Sequence, residues 1–373
     1  MNLKQINPTG RLRQTSGGRK TFGFPGVAFS FALLLVLASC ETAVEFTGQE
    51  TAPLLVLESV ARPGEPLQAS LTASRFFLSQ TDTFAVVPGA EVSLYVGGQF
   101  RETLAETAPG IYTSAFVPSQ GQSLALEISA DGFESVSAET SVSDVPADFR
   151  WEDSSSLVLP LWEDSGTLLM ASDSTWSDVE YRSVDYEMQM VEFSCTFAFG
   201  DIPATEFYCL EVLQQADDST WNASADLSSA RLLAGSAYED LDVYEGRVLF
   251  ADEFFRDGTA RVQLDFDLME TAFYENGERL PDTDGQRISV RVRLLGVSES
   301  YYYWQKTLAA FNGEFARGVF SEPVQVYSNI QGGIGIFGGV HQGAEYEFTL
   351  TTPWYNPDSR YGREVLLEED VWY

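Results

Sequence analysis

The groups in this chain that could do chemistry are few in kind: three cysteines, one histidine and 55 acidic side chains. His341 sits in Gly338-Gly339-Val340-His341-Gln342-Gly343, so any imidazole-based metal cluster or Ser-His-Asp triad would depend on it alone. No strand-to-helix Gly-x-Ser-x-Gly elbow offers it a nucleophile, and it reads as a loop histidine without partners. Fifty-five acids form pairs by chance, whereas a glycosidase holds two across a cleft at a defined separation, which sequence does not show. Asp282-Thr283-Asp284-Gly285 opens like a calcium loop but lacks the later acidic ligands and the closing bidentate glutamate, so it reads as a hairpin turn. Gly332-Gly333-Ile334-Gly335 lacks the Gly-Lys-Ser/Thr ending of a phosphate loop and opens no helix. Its glycines read instead as permitting close backbone approach or positive φ beside a buried strand. The expectation is a chain with no catalytic residue, no metal and no cofactor.

Cys40 carries a different chemistry. It closes Leu37-Ala38-Ser39-Cys40, after a basic start (Lys4, Arg11, Arg13, Arg19, Lys20, with no acid) and an apolar run of 12 residues from Val27 to Ala38. A spanning helix needs about 20 apolar residues, so the run suits a signal peptide instead. The whole resembles a bacterial lipoprotein signal closed by a lipobox, in which the thiol takes a diacylglycerol and cleavage falls just before it. At roughly 0.8 kcal/mol per buried CH₂, two or three acyl chains anchor stably where one does not. Residues 1–39 are therefore expected to be a signal peptide, Cys40 the lipidation site, and the location the outer membrane, with a lipid anchor as the first partner. Glu41, Glu45 and Glu50 follow without a basic residue. That acidic stretch resembles the surface-export signal of Bacteroidota lipoproteins and favours exposure at the cell surface.

Removing residues 1–39 takes away five basic residues and no acid, leaving 17 bases against 55 acids, a formal charge of −38, with Lys306 the one remaining lysine. Such a surface repels nucleic acid and anionic membranes. It suits high salt, where external ions screen the mutual repulsion of carboxylates. Raising sodium chloride from low to molar concentration is expected to raise the melting temperature; a flat or falling value over that range would count against a salt-adapted surface.

The elements that must position these residues are strands. From Leu54 to Val145, short alternating runs such as Leu54-Leu55-Val56-Leu57-Glu58 and Ala90-Glu91-Val92-Ser93-Leu94-Tyr95-Val96 are punctuated by Pro63-Gly64, Pro88-Gly89, Gly97-Gly98 and Asp131-Gly132. This spacing predicts an immunoglobulin-like β-sandwich over 54–146, after an acidic tether over 40–53. A larger antiparallel β-domain is expected over 147–355, and an acidic tail over 356–373. In that domain 147–185 has no clean period, and alternation returns in Tyr186–Phe193, Glu206–Val212, Ala260–Leu268 and Arg287–Leu294. From Ser298 to Asn312, Tyr301, Trp304, Leu308 and Phe311 recur at helical spacing, with Ser298 or Ser300 as cap and Gly313 as stop, so one helix is predicted near 298–312. Tyr301 and Trp304 fall on its apolar stripe, which leaves Tyr302 and Tyr303 for a ligand or partner. Cys195 and Cys209 flank Gly200-Asp201-Ile202-Pro203 symmetrically. A hairpin centred on position 202 would oppose them, at about 4.5 Å between Cα atoms in a non-hydrogen-bonded pair, and permit a disulfide.

The order of several words now carries a resemblance. Leu54-Leu55-Val56-Leu57-Glu58, Pro88-Gly89-Ala90-Glu91-Val92, Gly110-Ile111-Tyr112, Phe250-Ala251-Asp252-Glu253 and the closing run Val326 to Gly338 resemble the Bacteroidota outer-membrane lipoproteins grouped as domain of unknown function 4249. The resemblance spans Cys40 to about Tyr346. The resemblance brings no established enzymatic activity and no functional residues to carry over, and, since family members are often encoded beside TonB-dependent outer-membrane receptors, it implies such a receptor as partner. The function expected is thus binding, as an accessory to such a receptor. The alternatives are stand-alone capture of a glycan or peptide and, from another class, a carboxylate-based hydrolase.

Overall fold

The computed structural model describes residues 52–75, 83–171, 179–203, 205–216, 220–255, 257–279, 287–312 and 325–352. Cys40, Asp282 to Gly285, Gly313 and the acidic tail lie outside the described residues. The described chain is mainly β, as predicted, and belongs to one compact unit, Thr51–Tyr373.

Its first strands are β1 (Leu55–Ala61), β2 (Gln68–Ala73), β3 (Ala85–Val86), β4 (Glu91–Val96), β5 (Gln99–Thr103), β6 (Ala105–Ala108), β7 (Ile111–Thr113), β8 (Ser123–Ser129) and β9 (Val136–Ser141). Then come β10 (Arg150–Ala171), β11 (Val179–Gly200), β12 (Phe207–Ala216), β13 (Asn222–Ala223), β14 (Leu227–Ala234), β15 (Ala237–Leu241), β16 (Val243–Tyr244), β17 (Arg247–Ala251), β18 (Thr259–Glu275), β19 (Glu278–Arg279), β20 (Arg287–Val297), the helix α1 (Glu299–Asn312) and β21 (Ile334–Thr351).

One 11-stranded sheet runs through the unit in the order β16-β17-β12-β20-β21-β1-β2-β7-β6, with β3 and β13 beside it. A four-stranded sheet, β5-β4-β8-β9, faces its N-terminal end, and Leu57, Leu71, Leu94, Leu126 and Tyr112 fill the core between them. A six-stranded sheet, β10-β11-β18-β14-β15 with β19, faces the other end across a core rich in aromatics. There Phe149 stacks on Phe197 at 5.0 Å, and Trp151 meets Phe348 edge to face at 4.9 Å. Burying one such ring completely contributes about 1.5–3 kcal/mol.

The expected boundary at 146 does not divide the molecule into separate sheets. β21 pairs in parallel with β1, from Val56↔Ile334 to Ala61↔Gly339, so the last strand completes the sheet that the first began. Phe337 of β21 is accordingly buried in the N-terminal core. In the stretch after 146, which has no clean period, β10 is a 22-residue strand paired along β11. From Glu152 to Leu161 its side chains are largely exposed and lack alternation, because partnering more than burial makes it a strand.

The glycine run reads as expected. Gly335 has φ +120°, and a Cβ there would collide with the Leu57 carbonyl oxygen. A Cβ on Gly338 would lie 3.1 Å from the Tyr301 Cβ, so its absence lets the helix lie close on β21.

Across β11, β18 and β14, Asp265 gathers donors. It accepts from Ser194 Oγ, Ser229 Oγ and Gln263 Nε2, each at 2.7 Å, and pairs with Arg231 at 3.0 Å. Burial alone would raise its pKa, but the bonds from Gln263, Ser229 and Ser194 and the charge of Arg231 outweigh it, so the pKa is lowered. A depressed carboxyl contributes stability that is present above the unfolded value near 3.9 and lost as pH falls through the folded value. Asp265→Asn is expected to cost about 1–3 kcal/mol at neutral pH and to lose less further stability than wild type on acidification below pH about 4. Burial moves Asp226 and Asp252 the opposite way in both proteins, so the difference between variant and wild-type urea melts isolates Asp265. Parallel losses at low pH would refute the assignment.

Candidate binding cleft beside the helix

Each strand of the long sheet has two faces. On β12 and β20, Leu210, Val212, Val290, Val292 and Leu294 turn toward the aromatic core. The alternate residues turn outward, where Cys209, Leu295, Val297 and Val340 meet Tyr301 and Tyr302 of α1 in a third, smaller core. Farther along this outer face the register sets Arg247 opposite Glu211 and Glu211 opposite Arg293, and Arg291 opposite Glu347. These are cross-strand ion pairs, with Arg247 to Glu211 at 3.1 Å and Arg291 to Glu347 at 2.7 Å.

Ser298 places the helix on this face. Its Oγ accepts the Tyr301 N–H at 3.2 Å, as the predicted cap, and also the Gly339 N–H of β21 at 2.9 Å. Ser300 Oγ donates to the Phe337 carbonyl at 2.9 Å. The buried face of α1 is Tyr301, Tyr302 and Gln305, rotated from the expected stripe, and Phe311 is 50% exposed. The rotation follows from the sheet below, whose Phe207 gives Tyr302 a ring partner at 4.6 Å.

Of the two candidate tyrosines, then, Tyr302 is 7% exposed and packed, whereas Tyr303 is 40% exposed. Tyr303 joins an aromatic group with Phe207 at 5.8 Å, Tyr302 at 5.3 Å and Tyr327 at 5.8 Å. Tyr302 still reaches a cleft of about 590 Å³, whose wall on the helix is Tyr302, Lys306, Ala309 and Ala310. Opposite stand Glu239 to Tyr244, with Leu249, Phe250 and Ala251 from β17. Lys306 Nζ donates to Tyr302 Oη at 3.3 Å, and Asn312 Nδ2 to Tyr244 Oη at 2.7 Å, which ties the helix to the far rim. Glu239 Oε2 is buried without a hydrogen-bond partner. Apolar surface, aromatic rings, one ammonium and acidic rim groups suit an organic ligand with polar substituents. Among the described residues no group of three His, Cys, Asp or Glu is placed to hold a metal ion.

The other sequence candidates lie elsewhere. Cys195 and Cys209 are not opposed across a hairpin: β11 and β12 belong to different sheets, where Cys195 faces Leu264 and Cys209 faces Leu249 and Leu295. Both are free thiols in separate cores. Burial, with the charge of Asp265, holds the Cys195 thiol well above its ordinary pKa. Burial pushes Cys209 up to about 12. Both are thus unreactive packing residues. His341 is on β21, not in a loop, and its Nδ1 lies 3.1 Å from the Ser143 carbonyl.

A sequence family described as domain of unknown function (DUF4249) matches residues 41–345. The chain belongs to that family. Every cleft residue lies within the matched span, so the cleft is part of the DUF4249 domain itself. No curated protein matches this DUF4249 chain. It is similar to a solved structure described as "Structural basis for the promiscuous specificity of the carbohydrate-binding modules from the beta-sandwich super family", at 9% identity and a TM-score of 0.17, over 62% of this chain and 100% of that one. At that TM-score the likeness carries no argument.

Proposed function

We propose that the mature chain is a lipoprotein of the Bacteroidota type, anchored in the outer membrane through Cys40 and exposed at the cell surface, which acts by binding as an accessory to a TonB-dependent receptor. Support for the anchor is the lipobox at Leu37 to Cys40, after which the family match begins at Glu41. The observation that carries the binding role is the cleft of about 590 Å³, a size that takes a small organic ligand or a partner's side chains. A second reading, capture of a glycan without a receptor, is favoured by the exposed ring of Tyr303 beside Tyr302, since exposed aromatic faces stack on sugars.

Growing cells with an alkyne fatty acid tests the anchor. Wild type should take the label and fractionate with the outer membrane, and Cys40→Ala should do neither; an unlabelled wild-type protein soluble in the periplasm would sink the proposal. Chemical crosslinking on intact cells separates the two readings. A crosslink to an outer-membrane barrel that is lost in a variant filling the cleft, Ala309→Trp, supports the accessory role. A protein without such a crosslink, whose tyrosine fluorescence responds to oligosaccharides in wild type but not in Tyr303→Ala, supports capture alone.

A further inference from the structure

A second cavity, of about 370 Å³, shares Arg247 with the cleft. Its lining is unusual for so acidic a chain: Arg62, Arg247 and Arg293 with the single histidine, His341, against Glu65 and Glu211. Three arginines against two glutamates line it in a chain that as a whole carries −33, and Arg293 is held from outside the lining by Glu345 at 2.9 Å, which leaves Arg62 and Arg247 as the groups open to a ligand. Five sequence-distant segments supply these groups, and the sheet register brings three of them together, since Arg247 and Arg293 are both opposite Glu211.

The donors here are not all used. Arg247 pairs with Glu211 through Nη2 at 3.1 Å, while its Nε is buried without a partner. Burial works against the charge of Arg247, but negative neighbours more than offset it and raise its pKa; with Tyr301 and Cys209 un-ionised at neutral pH, Glu211 is the operative one. Tyr301 Oη accepts from Gln305 Nε2 at 2.9 Å, which leaves its own proton to give. Arg62 is an exposed residue of the lining with no side-chain hydrogen bond or ion pair among the described residues. A cavity with unspent guanidinium N–H and phenol O–H groups is complementary to an anion. A monoanion would face Glu65 and Glu211 at a smaller repulsive cost than a phosphate dianion.

We propose that this cavity is a binding site for a carboxylate-bearing ligand, held by Arg62, the free Nε of Arg247 and the Tyr301 hydroxyl. Guanidinium forks match the planar carboxylate. A carboxylate of this size belongs to an acidic sugar or to the C-terminus of a peptide. His341 bears on the choice. The Ser143 carbonyl only accepts, so Nδ1 donates to it and Nε2 is the ring nitrogen left to meet a hydroxyl beside the carboxylate, as in an acidic sugar. The site deepens the binding role proposed above but is independent of the lipid anchor, so a failed fatty-acid label would leave the following titrations valid.

Isothermal titration calorimetry of the full chain in detergent at low salt would compare sodium glucuronate with glucuronamide, and N-acetyl-alanyl-alanine with its C-terminal amide. At least one acid should bind about tenfold or more tightly than its amide, and a lead for glucuronate identifies the sugar source, a lead for the dipeptide the peptide source. Arg62→Gln, at an exposed loop position, should keep the wild-type melting temperature and weaken the acid about tenfold; Arg247→Met should weaken it at least as much; Arg150→Gln, remote from the cavity, should change nothing. Acids that bind no better than their amides, or bind both cavity variants as well as wild type, would overturn the site. Inorganic phosphate binding more tightly than either acid would overturn its assignment to carboxylates.

Discussion

Gly335→Ala is expected to destabilise the protein by about 3–5 kcal/mol, the largest single effect foreseen here for a one-methyl change. Gly335 has φ +120°, a region essentially reserved for glycine, and the new Cβ would strike the Leu57 carbonyl oxygen. Backbone strain contributes about 1–3 kcal/mol. The rest comes from displaced hydrogen bonds of the parallel β1–β21 pair, each about 1 kcal/mol net. Because that pair joins the two halves of the long sheet, both cores are loosened together. At about 2–4 °C per kcal/mol for a domain of a couple of hundred residues, Tm should fall by roughly 10 °C. Gly132→Ala is the control: φ is +86° but nothing lies within 4 Å of its Cβ, so only about 1 kcal/mol of conformational strain applies. If the two variants melt at the same temperature, the close approach of β21 to β1 is wrong.

Ser298→Ala is expected to cost about 2–4 kcal/mol and to loosen the helix over both cavities. One hydroxyl serves two elements here, since it caps Tyr301 and accepts from Gly339. Losing a cap costs about 1 kcal/mol, and an orphaned buried N–H about 1–3 kcal/mol. Ser300 is poorly placed to substitute, because its hydroxyl already donates to Phe337. Ser298→Thr keeps the oxygen and should retain most of the stability. Near-ultraviolet circular dichroism of the Phe207, Tyr302 and Tyr303 group should weaken in the alanine variant only. Equal spectra and equal melts for alanine and threonine would remove Ser298 from this role.

What was legible in the sequence was local. The helix followed from a serine cap and the apolar spacing after it, both properties of a few neighbouring residues. The strands of the sandwich followed from alternation, since a residue period of two commits one face to burial. The glycine run announced close backbone approach, because glycine alone tolerates it.

Cys195 and Cys209 show where this ends. Their symmetric placement about a turn is compatible with a hairpin, yet the chain changes sheets at 201–206, and alternation says only that each cysteine is buried, not against what. Tyr302 is a similar case: a helical stripe read from spacing carries an uncertainty of one residue, about 100° of rotation, and the rings beneath the helix select the angle. The length of β10 was not legible because pairing with β11, more than an alternating face, holds it extended.

The sequence by itself thus determined the class of fold and the place of the helix. Only the tertiary structure decided that Val56 lies beside Ile334, that Tyr302 lines a cleft with Lys306, and that Arg62, Arg247 and Arg293 share a cavity. Propensity and periodicity act over a turn or a strand, whereas pairing register is chosen by the free energy of the whole assembly, in which segments nearly 300 residues apart compete equally for the same edge.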